Sequence, residues 1–196
     1  MASTKEKITA TALALFAQRG YDGVSVRDIC KQVGIKESSL YYHFPSKQAI
    51  LTTLLSHFEN RAAEGMAQLE QALGDQQGPW GQVSYRMVCQ AFFEGYLMDP
   101  FCNQVLRLLQ MEQFHNPDLG EIYERWMFRV PLAFQGRMFT ALVDLGLLHP
   151  ATGEDLAVAF YGPIHLFAQR GLFRGPLSEA RKAAFRQAAY RHVQRF

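Results

Sequence analysis

The chain has 196 residues, of which 48% are hydrophobic, and its 20 Lys and Arg nearly balance its 18 Asp and Glu. This length and apolar content suit one or two packed domains. No stretch has the apolar run of a signal peptide or of a membrane span of about 20 residues, so we expect a cytoplasmic protein with no membrane partner. Three scattered cysteines without a Cys-x-x-Cys pair, Cys30, Cys89 and Cys102, exclude a disulfide framework or a zinc ribbon.

The first predicted helix covers residues 4–19, where apolar side chains recur on one face and Gly20 marks the end. A second helix begins a few residues later. Ser25 and Asp28 have the spacing of a capping box at its start. Gly34 then supplies the left-handed residue that ends this helix.

A third short helix begins near Lys36, with Leu40 and Phe44 facing inward. Its outward positions carry side chains that can donate to phosphates and base edges: Lys36, Ser38, Ser39, Tyr42 and His43. Two short helices joined by a glycine turn, with this division of inner and outer residues, are typical of a helix-turn-helix.

At these positions the chain resembles the tetracycline-repressor (TetR) family of transcription regulators. The resemblance rests on Gly34-Ile35, on the run Leu-Tyr-Tyr-His-Phe-Pro-Ser-Lys over residues 40–47, and on Leu15-Phe16 with Gly20-Tyr21. It covers the amino-terminal part of the chain at motif level and, beyond that part, an all-helical layout only.

The resemblance implies an all-α protein with an amino-terminal three-helix helix-turn-helix domain and a carboxy-terminal helical ligand-binding and dimerisation domain. We place these domains at residues 1–50, the head, and 51–196, the body. The implied function is that of a homodimeric repressor, released from a palindromic operator in double-stranded DNA by a small apolar or aromatic effector. No cofactor is expected.

The expected DNA-binding residues are Ser25, Arg27, Lys36, Ser38, Ser39, Tyr41, Tyr42, His43 and Lys47. Among them, Lys47 and Tyr41 are expected to hold phosphates, and Ser39 and His43 to read bases. Seven basic and four acidic residues lie in the first 50, against thirteen and fourteen in the remainder, so the positive balance lies in the head.

An alternative function is a helical ligand- or partner-binding module without sequence-specific DNA binding. Two positions keep it open, because Lys36 and Ser38 stand where the family often has a hydroxyl residue and a glycine. Glu37 adds an acidic group beside the expected DNA surface.

A long helix is predicted from Pro45-Ser46, and it is the element expected to connect the head with the body. Residues 74–79 are the clearest linker. Further helices are predicted over residues 80–97, 101–114 and 118–145, from Thr152, and from Ser178 to Gln194. Pro131 and Pro163 are expected to kink or interrupt the helices that contain them.

The body is rich in aromatic residues and methionines, which line adaptable apolar pockets. The expected ligand-binding residues are Phe92, Phe93, Tyr96, Met111, Glu112, His115, Tyr123, Trp126 and Met127. The pair Glu112 and His115 has the spacing of metal-binding helices, but the motif is not duplicated and no phosphate loop or nucleophile elbow accompanies it. We therefore expect neither a metal site nor an enzyme.

The last two helices carry an apolar stripe and a small-residue face, which suit close helix packing between two copies. The expected dimer-interface residues are Leu156, Phe160, Ile164, Phe167, Ala184, Phe185 and Ala188. Packing within one chain is the alternative explanation.

Overall fold

The computed structural model describes residues 3–74 and 85–196, and within them it contains only helices and their connections. The helices are α1 (Thr4–Arg19), α2 (Val26–Val33), α3 (Glu37–His43), α4 (Lys47–Gly74), α5 (Tyr85–Phe92), α6 (Pro100–Glu112), α7 (Pro117–Glu124), α8 (Val130–Asp144), α9 (Gly153–Gly171) and α10 (Glu179–Val193). Two π-helical turns complete the order, Phe93–Leu97 after α5 and Arg125–Arg129 between α7 and α8. The all-α prediction is confirmed, whereas most of the predicted linker, residues 75–79, lies outside the described residues.

The helix starts follow local side-chain chemistry. Ser25 and Asp28 form the predicted capping box of α2, and the side chains of Thr152 and Ser178 cap α9 and α10 as predicted. Gly34 ends α2 with φ 79°, in the left-handed region, which a glycine adopts without steric cost.

The two prolines expected to break helices have different outcomes. At Pro131 the break takes the form of the π-helical turn that precedes it, and the proline itself lies in the first turn of α8, where its missing N–H costs little. At Pro163 the prediction of an interruption is wrong, because α9 continues to Gly171. Packing against both α8 and α10 holds α9 together despite one lost backbone bond.

The head has a core made by one face of each of its helices. Ile8 and Phe16 of α1, Ile29 of α2 and Leu40 of α3 are fully buried together with Ile50 at the start of α4. The apolar face of α4 then continues into the body. Hence α4 joins head and body, as predicted.

A second connection between head and body was not foreseen. Helix α1 packs along α6, and Arg107 of α6 donates from Nη2 to the carbonyl oxygen of Ala17 over 2.8 Å. The body therefore holds the head through both α4 and α6. None of the helices in the described part of the chain is long and apolar enough to cross a membrane.

Candidate functional site

The outer face of α3 is an exposed polar surface of the head. Leu40 and Phe44 are buried and anchor the helix, while Ser38, Ser39 and Tyr42 point to solvent, with 86% of Tyr42 exposed. His43 is half-buried, and the centres of its ring and the Tyr42 ring lie 5.2 Å apart in an edge-to-face arrangement. A short helix anchored by two apolar residues thus presents hydrogen-bonding side chains to solvent.

Three further predicted DNA contacts surround this face. The Ser25 side chain is occupied by the α2 cap, where its hydrogen bonds lower the pKa of Asp28. Arg27 donates from Nε to Glu37 Oε1 over 3.0 Å, so that an ion pair joins α2 to α3. Lys36 is exposed at the N-cap of α3, and its side chain makes no capping bond.

Lys47 is engaged inside the head. Its Nζ donates to the carbonyl oxygens of Tyr21 and Val24, at 2.8 and 2.9 Å, and lies 4.0 Å from the centre of the Tyr21 ring. An ammonium has three donors, so one remains for a phosphate. Tyr41 is 49% exposed. Lys47 therefore fixes the loop between α1 and α2 whether or not it also contacts DNA.

The same loop contacts the body through a buried carboxylate. The backbone N–H of Tyr21 donates to Glu112 Oε1 over 2.8 Å, and only 8% of Glu112 is exposed. Gly20 has φ 74°, and a Cβ added there would lie 2.8 Å from the same Glu112 oxygen. Sequence reasoning assigned Glu112 to a ligand site, whereas the structure places it at the junction between α6 and the head.

A cavity of about 510 Å³ opens in the body between α4, the turn after α5, and the start of α8. Three of the predicted ligand-binding residues line it, Phe92, Tyr96 and Trp126. The hydroxyl of Tyr96 donates to the Trp126 carbonyl oxygen over 3.0 Å, and Trp126 Nε1 donates to Glu59 over 3.2 Å. These bonds fix the aromatic wall.

The other predicted ligand residues do not line this cavity. Phe93 lines a narrow cleft that adjoins it. Tyr123 and Met127 are buried in the core, where the Met127 carbonyl accepts from Tyr161. Met111 and His115 lie exposed near the end of α6, away from the cavity.

Several lining residues were missed because they lie on other helices. Met66 of α4, Cys102 of α6 and Pro131 of α8 complete the apolar wall. Burial raises the pKa of the Cys102 thiol to about 12, so Cys102 is a neutral apolar wall residue. The periodicity of α4 marks Met66 as inward-facing, but nothing in the sequence brings these three helices together.

The predicted dimer residues divide into three groups by their exposure. Phe160, Ile164 and Phe185 are buried within the chain, and Leu156, Phe167 and Ala188 are half-buried. Ala184 is exposed. The sequence did not single out Val158 and Leu166, which leave 60% and 53% of their surface exposed on the outer side of α9.

Among the described residues, no three His, Cys, Asp or Glu side chains converge where they could hold a metal ion. The side chains of Glu112 and His115 lie in different surroundings. Glu112 is buried and accepts a hydrogen bond from the Tyr21 N–H, whereas His115 is exposed.

The head is similar to known regulators. Residues 8–54 match the family model described as bacterial regulatory proteins, tetR family. The biofilm operon icaADBC HTH-type negative transcriptional regulator IcaR of Staphylococcus aureus (strain Newman) is 54% identical over 46 residues, which are 24% of this chain and 25% of that protein. The uncharacterized HTH-type transcriptional regulator YuxN of Bacillus subtilis is 45% identical over 58 residues, 29% of this chain and 20% of that protein. These matches thus span a quarter or less of either relative.

The whole fold is similar to solved structures. A TetR-family regulator from Agrobacterium tumefaciens aligns with a TM-score of 0.66 at 24% identity, covering 98% of this chain and 97% of that one. A putative TetR-family regulator from Mesorhizobium loti gives a TM-score of 0.66 at 21% identity, with coverages of 98% and 94%. The amino-terminal part of this chain is therefore similar to the tetR family of bacterial regulatory proteins, and the whole chain shares the fold of these solved structures.

Proposed function

We propose that this protein is a homodimeric transcriptional repressor that leaves a palindromic DNA operator when a small apolar or aromatic ligand fills the body cavity. In this proposal residues 1–50 read DNA, and residues 51–196 bind the ligand and the second copy. The exposed polar face of α3 is the observation that carries it. The similarity of the head to IcaR, which is named as a negative regulator, supports repression.

The α3 face has the properties of a recognition helix. A helix of this size enters the major groove and reads base edges through short polar side chains near its start. Ser38 and Ser39 occupy that position and are exposed. Arg27 offsets the charge of Glu37, so the acidic residue adds little repulsion toward phosphate.

Dimerisation is supported by the outer side of the last two helices. Val158, Gly162 and Leu166 follow one another at four-residue intervals on α9, all exposed, and Ala180 and Ala184 are exposed on α10. Apolar and small residues on adjoining helices let a second copy approach closely. Two heads related by a two-fold axis then meet successive major grooves about 34–36 Å apart, which requires a palindromic operator.

Two helices carry the coupling between cavity and head. Helix α4 begins with Lys47 on the Tyr21 carbonyl, and α6 ends with Glu112 on the Tyr21 N–H. Both helices also line the cavity, through Met66 and Cys102. A ligand that binds the two conformations unequally therefore acts on the Tyr21 loop from both sides, with a coupling of about 1–3 kcal/mol.

The test is DNA binding by the purified protein on fragments that flank its own gene, with affinity measured by fluorescence anisotropy and the protected site mapped by DNase I footprinting. We expect one protected palindrome, and weaker binding to shuffled sequence. A Ser39/His43 double alanine variant should relax base preference within the footprint, at about 1–3 kcal/mol per lost base contact. Its circular dichroism spectrum serves as the folding control.

Two outcomes would redirect the proposal. Footprints that are identical for the wild type and the double variant would remove the α3 face from base reading. Equal affinity for every fragment, with intact ligand binding, would favour the alternative of a helical ligand- or partner-binding module.

A further inference from the structure

The body cavity continues into a narrow apolar cleft. Met66, Phe92 and Pro131 line both spaces, and the cleft then runs between Phe134 and Met138 on one side and helices α5 and α9 on the other. The cleft has a volume of only about 20 Å³. This is room for about one water-sized group. The larger part of a ligand can therefore lie in the cavity, with a single small end group in the cleft.

One polar side chain interrupts the apolar wall of the cleft. Gln135 of α8 is 8% exposed, and its Oε1 atom is buried and accepts no hydrogen bond from any residue that the structure describes. Phe93, Phe160 and Ile164 are among the apolar residues that share this wall. A buried acceptor without a donor destabilises the free protein, and a partner that supplies the donor recovers this loss.

The wide part of the cavity has a different polar lining. Arg61, Glu64 and Gln68 of α4 border it and are exposed, whereas none of them lines the cleft. Arg61 is already paired with Asp99, Nη2 to Oδ2, at 2.7 Å. Between this rim and Gln135 the wall is aromatic and aliphatic. The lining therefore matches a molecule with an apolar or aromatic body and a small polar group at its inner end.

We propose that the effector is an apolar or aromatic molecule with a terminal hydrogen-bond donor, a hydroxyl or an amino group, which enters the cleft and donates to Gln135 Oε1. This inference rests on the proposed ligand function of the body, and it narrows the ligand class. Gln135 then selects ligands by their end group, since a ligand of the same shape without a donor leaves Gln135 Oε1 unpaired.

The test uses matched pairs of probes. The panel consists of phenylalkanols with unbranched chains of different length, each compared with the terminal fluoride of the same chain, which has a similar shape but cannot donate. Affinities are measured by isothermal titration calorimetry on the full chain. For the chain length that reaches the cleft, we expect the alcohol to bind roughly three- to tenfold more tightly than the fluoride.

A Gln135→Met variant supplies the matched control, because methionine keeps the length of the side chain and removes the strong acceptor. We expect the alcohol and the fluoride to bind this variant with affinities within about twofold of each other. The ligand-free variant should also unfold at a higher temperature than the wild type, because it no longer buries an unpaired polar atom.

The outcomes separate this inference from the proposed function. Equal affinities of alcohol and fluoride for the wild type, at every chain length, would overturn the role of Gln135 and leave the ligand cavity standing. A preference for the corresponding nitrile, which only accepts, would also overturn it. Failure of every probe to bind would overturn both the role of Gln135 and the apolar ligand site, while operator binding would still test the head.

Discussion

The N–H of Tyr21 donates to Glu112 Oε1 across 2.8 Å, and this bond joins two residues that lie 91 positions apart in the chain. It connects the loop between α1 and α2 to the last turn of α6. The carbonyl of the same residue accepts from Lys47 at the start of α4. One peptide segment of the head is thus held from both sides by helices that reach the body cavity.

Removing the Glu112 carboxylate should weaken this junction. We expect Glu112→Leu to lower the free energy of unfolding by about 1–3 kcal/mol, because the Tyr21 N–H loses its acceptor. Glu112→Gln keeps an acceptor oxygen and should lose less. Urea denaturation measures both variants, and equal stability of Glu112→Leu and the wild type would contradict the role of the bond.

The two lysines beside α3 should differ in a way that separates DNA contact from head stability. Lys36→Met should lower the slope of log affinity against log salt by about 1 and leave unfolding unchanged, because Lys36 is exposed. Lys47→Met should lower that slope and also destabilise the head by about 1–3 kcal/mol, because two carbonyls lose a charged donor. A salt series in anisotropy, with parallel denaturation, measures both. If Lys47→Met were as stable as the wild type, the hydrogen bonds from Lys47 would not stabilise the loop between α1 and α2.

A charge on the outer side of α9 should prevent dimerisation without unfolding the chain. We expect Leu166→Glu to sediment as a folded monomer, because dimerisation would bury the new carboxylate against apolar groups. Leu147→Glu is the matched control, since Leu147 is also exposed but lies in the connection between α8 and α9. If Leu166→Glu remains dimeric in analytical ultracentrifugation, the interface lies elsewhere.

Filling the cavity should block the ligand and spare DNA binding. Gly95 lines the cavity, and apart from its chain neighbours and its own helical backbone no atom of the described residues lies within 4 Å of a Cβ built there. We expect Gly95→Leu to weaken binding of phenylalkanols by about 1–3 kcal/mol through overpacking, with unchanged operator affinity of the free protein. Gly95→Ala, which adds a single carbon, should bind nearly as the wild type does. Equal ligand affinity of all three proteins would place the ligand outside this cavity.

The stability of the protein should fall in mild acid partly because of His165. Burial lowers the pKa of this histidine below its ordinary value of 6.5, and its ring lies among Phe128, Tyr161 and Gln169. Unfolding therefore takes up a proton between the lowered pKa and pH 6.5, so stability decreases as the pH falls through that window and is unaffected above it.

His165→Leu should flatten the fall in melting temperature between about pH 7.5 and about pH 5.5. His115→Leu, at an exposed histidine, should leave the fall unchanged, and a fall as steep in His165→Leu as in the wild type would exclude His165 as its cause.

Features fixed by neighbouring residues could be predicted from the sequence, and features fixed by distant ones could not. The α2 cap needs only Ser25 and Asp28, and its end needs only Gly34, so their spacing was sufficient. The contact of Glu112 with Tyr21 depends on how α6 lies against α1, which no periodicity reports. The apolar stripe of α9 had the same limitation, because a stripe does not tell whether another helix of the same chain covers it, as happens at Phe160.

The close approach of α8 and α9 has a mechanical consequence. A Cβ added to Gly153 would overlap the carbonyl oxygen of Gly136 and the side chain of Thr140, so the start of α9 lies directly against the backbone of α8 and the Thr140 hydroxyl. Such a close contact leaves no space for α8 to slide along α9. We therefore expect the two helices to move together as a rigid unit. In the proposed dimer, α9 offers the surface for a second copy, so we expect these two helices to stay in place when a ligand binds. We then expect the displacement to occur at the opposite wall of the cavity, where α4 and α6 lead to the head.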